Sequence, residues 1–254
     1  MPEGDTVWRT ANALREALAG EVLTLCDVRV PKYATVDLSG QIVDEVVSRG
    51  KHLLIRVGEH SIHTHLKMEG AWHLYAPATK WRRPAHQARI VLATEQSVAV
   101  GFSLGITEVL ARDAEDSAVG HLGPDVLGPD WDAGTAVRNL ARAAEQPIGL
   151  ALVDQRNLAG LGNVYRNEVC FLRGVHPFTP AEEVPDLSAL VALAHRMIEA
   201  DKNNSLRRRP WVYGRAGQRC RRCGTRIESY DLGQQQINVC PHCQPPRGAD
   251  SNSI

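Results

Sequence analysis

Four of the six cysteines stand as CRRC (220–223) and CPHC (240–243), two C-x2-C pairs separated by residues 224–239. Each pair places two thiolates on one tetrahedral ion, and the gap is long enough for a hairpin. Cys220, Cys223, Cys240 and Cys243 are therefore expected to hold one Zn2+. All four positions would be filled by protein, so the ion would be structural and the hairpin would depend on it to fold. Two disulfides are the competing pattern, which a reducing compartment disfavours. Cys26 and Cys170 stand alone in apolar surroundings and read as core thiols.

Other stretches carry groups suited to an anion. VDQRNLAGLGNVYRNEV (153–169) runs from a helix through a turn built on Gly160 and Gly162 into a second helix near Asn163. The first amides of that helix, with the Asn163 side chain, make an anion site; a plain helical hairpin packed through its glycines is the alternative. Eight arginines (207, 208, 209, 215, 219, 221, 222, 226) fall between Arg207 and Arg226 with no acid among them. Such a run is expected of a phosphate binder, and Arg215 is one candidate contact. Lys51 follows Gly50 at the start of an apolar strand, where a solvated strand-end lysine is the plain reading. HTHLKMEG (63–70) has His63 and His65 on one face of a strand, with no obvious third ligand for a metal; structural or DNA-facing roles are expected. The chain opens MPEGDTV, and by itself Pro2-Glu3 reads as a loose lead-in.

The elements that must position these groups change in kind along the chain. DTVWRTANALREALAG (5–20) is amphipathic, with Val7, Trp8, Ala11, Leu14 and Leu18 near one face. From Glu21 to about Arg112, short alternating runs such as HLLIRVG, ARIVLAT and QSVAVGF recur at roughly ten-residue spacing, the pattern of an antiparallel sandwich. GHLGPDVLGPDW (120–131) is rich in glycine and proline and is expected to be a linker. Helical periods follow in GTAVRNLARAAEQ, PIGLALVDQ, NVYRNEVCFLRG and LSALVALAHRMIEA, and strand-and-turn composition returns around the cysteines. The tail RGADSNSI is expected to be disordered.

The 254 residues suit two domains. Net charge is zero, so the arginine run is a local asymmetry on a neutral protein. No apolar stretch reaches membrane-span length and the first twenty residues lack a signal peptide's apolar centre, which makes a cytoplasmic protein the expectation.

Taken in order, MPEG (1–4), RGKHLL (49–54), HLKMEG (65–70), LGPDVL (122–127), DQRNLAGLGNVYRNE (154–168) and the cysteine segment (220–243) resemble the formamidopyrimidine-DNA glycosylase/endonuclease VIII family of base-excision repair enzymes, over nearly the whole chain to about Gln244. MPEG and GFSLGITEVL (101–110) are more similar to the endonuclease VIII branch, of actinobacterial type. The resemblance implies an α+β multidomain protein. Residues 1–119 would form an N-terminal antiparallel β-sandwich with the first helix, 120–131 a linker, 132–209 a helix-two-turn-helix domain, 210–245 a zinc finger and 246–254 the tail. DNA would lie in a cleft between domains, bound by a monomer.

The resemblance also assigns roles. Removal of Met1 frees the secondary amine of Pro2, which attacks C1′ of a damaged nucleoside to give an iminium ion; β-elimination then cuts the strand. Glu3 would be the general acid/base, Lys51 the lysine assisting near the lesion, Asn163 the phosphate-binding asparagine and Met68 the side chain filling the gap left by an extruded base. The implied activity is a bifunctional glycosylase and AP lyase acting on oxidised pyrimidines. Departures are specific. Gln235 stands five residues before the third cysteine, where the family has an arginine. Lys67 replaces a DNA-contacting glutamine, His121 an arginine and Thr6 a glutamate, and the Arg-Phe pair of the formamidopyrimidine branch is missing from GFSLGITEVL. The expected partner is damaged double-stranded, bubble or single-stranded DNA, and these changes point to looser opposite-base choice and a preference for the bubble or single-stranded forms. Gln235 also leaves a damaged- or single-stranded-DNA binding protein with weak or no turnover as the alternative.

Overall fold

The computed structural model describes residues 2–203 and 209–246, so Met1, Arg207, Arg208 and the expected tail from Arg247 lie outside the described residues. Two units are present, divided between His121 and Leu122.

In the first unit, α1 (Gly4–Leu18) buries the stripe Val7, Ala11, Leu14 and Leu18, as its 3.6-residue period dictates. The strands are β1 (Leu25–Val28), β2 (Val43–Arg49), β3 (His52–Val57), β4 (His60–His65), β5 (Ala71–Tyr75), β6 (Ala88–Ala93), β7 (Val98–Phe102) and β8 (Ile106–Ala111). They form two four-stranded sheets, ordered β1-β6-β7-β5 and β2-β3-β4-β8, with every pairing antiparallel. Alternation sends Leu53, Ile55, Val57 and Ile62 of one sheet and Ile90 and Leu92 of the other into one core, which α1 closes by packing on β2, β3 and β5. A short helix α2 (Asp116–Val119) ends the unit.

The second unit contains α3 (Ala133–Arg142), α4 (Ile148–Ala151), α5 (Asn163–Arg173), α6 (Leu187–Lys202) and the hairpin β9 (Glu228–Leu232) and β10 (Gln235–Val239). The Asp132 carboxylate accepts from Gly134 N at 2.8 Å and Thr135 N at 3.2 Å, capping α3. Gly174, at φ +65°, ends α5 in the left-handed conformation that a glycine adopts without steric cost. Leu140, Ile148, Leu161, Val169, Leu190 and Ile198 form the helical core. The segment expected as a linker is packed from Leu122 onward: Val126 is fully buried in this core and Asp125 bridges to Ala159. Gly120 and Pro129 are exposed, whereas Pro124, Asp125 and Val126 between them are buried.

Candidate active site, metal centre and nucleic-acid contacts

Glu3 is held, not frayed. Glu3 is 2% exposed and occupies the N-cap of α1, where its carbonyl accepts from Thr6 N at 3.0 Å and Val7 N at 3.1 Å. Lys51 sits in the two-residue turn joining β2 to β3, preceded by Gly50 at φ +59°. Because α1 packs on both strands, the sequence-predicted catalytic residues share one rigid framework.

The four predicted thiols converge. Cys223 Sγ lies 3.4 Å from Cys240 Sγ and Cys220 Sγ 4.0 Å from Cys243 Sγ, and all four ligand atoms fall within 4.8 Å of one another. A tetrahedral Zn–S4 centre with bonds of about 2.3 Å needs sulfurs about 3.8 Å apart, so the residues fit the ion. None of the four is in a disulfide. A side-chain hydrogen bond with Thr225 pulls the Cys223 thiol down to about 6, while burial pushes Cys240 and Cys243 up. Cys26 and Cys170 are buried free thiols, and burial pushes Cys170 up to about 12, so both behave as core residues.

Asn163 opens α5 directly after the turn of Gly160 (φ +106°) and Gly162. The Gln155 amide braces that turn, accepting from Gly160 N at 3.0 Å and donating to Leu161 O at 3.0 Å. Asn163 Oδ1 accepts from Arg166 Nε (3.1 Å), Arg166 Nη2 (2.5 Å) and Asn167 Nδ2 (2.9 Å), and its Nδ2 donates to Gln236 O (2.9 Å). Arg166 Nη2 also donates to Gln235 Oε1 at 3.3 Å. The structure thus brings Asn163 and Gln235 together through a guanidinium that sequence reasoning had not singled out.

Residues 1–103 match the formamidopyrimidine-DNA glycosylase N-terminal domain, 122–202 the formamidopyrimidine-DNA glycosylase H2TH domain and 217–246 the zinc finger found in FPG and IleRS. The DNA-(apurinic or apyrimidinic site) lyase Nei2 of Mycolicibacterium smegmatis is 51% identical over 96% of this chain and 99% of its own length. The chain belongs to the formamidopyrimidine-DNA glycosylase/endonuclease VIII family. Within the family it stands with the endonuclease VIII branch of actinobacteria, being 49% identical to the probable endonuclease 8 2 of Streptomyces coelicolor across 96% of this chain and 94% of that protein. A formamidopyrimidine-DNA glycosylase of Listeria innocua is 30% identical over 96% of this chain. The fold matches that of the Lactococcus lactis Fpg solved with abasic-site DNA, with a TM-score of 0.81, 20% identity, and coverage of 96% of this chain and 100% of that one. No helix among the described residues is long and apolar enough to cross a membrane.

The remaining family positions divide sharply. Lys67 and Met68 form the tip of the turn after β4; Lys67 takes φ +53°, and Met68 is 63% exposed. Gly105 has no Cβ, which leaves room for the Lys67 stem: a Cβ there would stand 2.2 Å from Lys67 Cγ. His121 is exposed and meets His52 edge-on. Arg215 does not fit its expected role. It is 8% exposed, and its nitrogens donate to Gln218 Oε1 (3.1 Å), Trp211 O (2.5 Å) and Arg219 O (2.8 Å), so the side chain ties a loop together instead of reaching for phosphate. Arg221 likewise donates to Arg209 O and Pro210 O, and Arg222 lies over the Phe171 ring at 4.5 Å. Much of the arginine run therefore builds the finger itself.

Two further residues, Glu168 and His52, escaped sequence reasoning. Glu168 accepts from three successive amides, Trp211 N (2.7 Å), Val212 N (3.0 Å) and Tyr213 N (2.9 Å), anchoring the start of the finger to α5. In the first unit, His52 Nδ1 lies 2.8 Å from His63 Nε2 with the rings stacked, and His65 meets His52 edge-on. The pairing of β3 with β4 places His52 opposite His65, a juxtaposition legible only once the register is known.

Proposed function

We propose that this protein is a bifunctional DNA glycosylase/AP lyase of base-excision repair that removes oxidised pyrimidines. The observation that carries the reading is the buried Glu3: the acidic residue next to Pro2 is hidden, where a loose lead-in would leave it in water. With Met1 removed, the neutral Pro2 nitrogen forms a bond to C1′ as the bond from C1′ to the base breaks, and the base leaves carrying a proton. Glu3 delivers a proton to O4′ as the sugar ring opens, leaving C1′ as an iminium carbon. The iminium acidifies the C2′ hydrogen; loss of that proton expels the 3′ phosphate. Lys51 assists at the lesion. Asn163 and Gln235 hold backbone phosphate, with Lys67, Met68 and His121 as further DNA contacts, Met68 filling the gap. One structural Zn2+ on Cys220, Cys223, Cys240 and Cys243 holds the finger. The protein acts as a monomer in the cytoplasm.

The test uses oligonucleotides carrying an abasic site, dihydrouracil, thymine glycol or 8-oxoguanine, treated with protein and borohydride. A reduced covalent adduct, strongest with the pyrimidine lesions and absent in Pro2→Gly, is expected; intact mass should show Met1 missing. Tight binding with no adduct would support instead a damaged-DNA binding protein, the reading that the neutral Gln235 favours.

A further inference from the structure

We propose that Arg166 is a positioning residue for phosphate recognition: from inside the protein it turns the Asn163 and Gln235 amides outward as donors. The inference rests on the DNA-binding reading above and adds a residue to it.

The geometry follows from donor chemistry. A guanidinium has five N–H donors and no acceptor, so any amide that meets it presents oxygen. Arg166 is 1% exposed and directs Nε and Nη2 at Asn163 Oδ1 and Nη2 at Gln235 Oε1. Both amides therefore turn their NH2 groups away from it. A second chain of bonds fixes the same sense. Asn238 N donates to Asn167 Oδ1 at 2.5 Å, which commits Asn167 Nδ2 as the donor to Asn163 Oδ1 at 2.9 Å. Asn163 Nδ2 spends one hydrogen on Gln236 O at 2.9 Å, and an amide nitrogen carries two. Nη1 reaches Gly149 O at 3.4 Å, anchoring the far side of the fork in the helical core.

This arrangement bears on the arginine that the family carries where this chain has Gln235. The cation is present but withdrawn onto α5, three residues after Asn163. It polarises two neutral amides that meet the phosphate in its place, and a charged donor behind an amide strengthens the amide's own donation. A free arginine at residue 235 would set two guanidinium groups against each other at the present 3.3 Å contact. The pairing of a buried arginine with a glutamine is thus a coherent alternative to one exposed arginine.

The test measures binding of the full chain, zinc-loaded, to a duplex with one tetrahydrofuran abasic analogue, by fluorescence anisotropy across a salt series. Arg166→Met should raise Kd about tenfold, about one bidentate charge-assisted contact converted to affinity. The slope of log Kd against log salt should not change, because Arg166 itself touches no phosphate. Arg166→Lys should recover part of the loss. In an Asn163→Ala/Gln235→Ala background, Arg166→Met should change Kd less than about twofold. Wild-type protein gives an independent reading by nitrogen-15 NMR: the Asn163 and Gln235 side-chain NH2 signals should sit apart from those of free amides and shift on adding the duplex. The inference is overturned by a Kd indifferent to Arg166→Met, by an equal loss in the amide-less background, by a salt slope lowered by about one, or by averaged, DNA-insensitive NH2 signals. Wild-type protein that binds no DNA would overturn the function itself, a result distinct from each of these.

Discussion

Acidification should destabilise the first unit through its histidine cluster. Burial first, then the neighbouring His65, His63, His121 and Lys67, hold His52 down from 6.5 to about 3. Burial, then Lys67, Lys51 and His63, hold His65 at about 4. Burial also lowers His63, against the opposing pull of Glu108 at 3.7 Å and of Glu115. Between the unfolded value of 6.5 and these folded values, each ring is protonated in the unfolded chain and neutral in the folded one. The unfolded state then binds more protons, so stability is fully present above pH 6.5 and is lost as pH falls. From pH 7.5 to 5.5, one histidine with an unfolded pKa of 6.5 loses about 1.4 kcal/mol. His52 and His65 together set a ceiling of about 2.7 kcal/mol, and solvent at their exposed edges reduces this to roughly 2 kcal/mol. His52→Phe keeps a stacked ring but removes one titrating group. It also leaves His63 Nε2 without its 2.8 Å partner, costing about 1–3 kcal/mol at neutral pH, so the pH slope is the readout rather than stability itself. Denaturant titrations at pH 7.5 and 5.5 should show an acid loss smaller by about 1 kcal/mol in His52→Phe than in wild type. The comparison cancels acid effects on the zinc site, which both proteins share. Ring-proton NMR should find His52 neutral at pH 5.5. Equal pH slopes in the two proteins, or a His52 signal titrating above pH 6, would refute the reasoning.

The finger offers two more tests. Chelation of zinc should abolish binding to abasic-analogue DNA while the melting of the first unit stays where it was, since the four thiols cluster within the second unit alone; unchanged binding would count against the metal assignment. Glu168→Gln should cost about 2–4 kcal/mol of second-unit stability and speed zinc release, because an amide cannot replace a carboxylate accepting from Trp211, Val212 and Tyr213 amides. Denaturation of the zinc-loaded protein and a chromogenic chelator measure both effects, and a change under 0.5 kcal/mol would contradict them.

Much of this was legible in the sequence. Short apolar, β-branched runs bounded by turn residues located strands such as β3 and β6, and the C-x2-C pairs announced their own cluster because thiolate spacing and metal geometry constrain each other. What stayed hidden depends on partners distant in sequence. Arg215 and Arg221 belong to a cationic run, yet charge density does not reveal whether a guanidinium faces water or a loop carbonyl. By type alone Arg166 is one more polar residue in a helix, although Asn163, Arg166 and Asn167 at i, i+3 and i+4 must share a face. The glycines and prolines of 120–131 do not make it an exposed linker, because Val126 among them is buried. Gly50 and Lys51 read in sequence as a strand end; that they form the turn between two strands carrying α1 follows from the pairing of β2 with β3.

The polar inner face of α5 explains how a small finger acquires a fixed register. An apolar helix face would hold the β9–β10 hairpin by area alone and tolerate a slip of the contact. Here Asn167 Oδ1 receives Asn238 N of β10, Asn163 Nδ2 binds Gln236 O of the same strand, and Glu168 grips the backbone at 211–213. A slip of one residue would turn Asn238 N away and strand buried amides, each costing about 1–3 kcal/mol. Asn238 extends the lock, its Oδ1 accepting from Gly214 N at 2.7 Å. Register in turn places Gln235, the first residue of β10, within reach of Arg166, three positions along α5 from Asn163. The bonds that anchor the finger are therefore the bonds that aim the phosphate-facing amides, and a substitution that loosens one should misdirect the other.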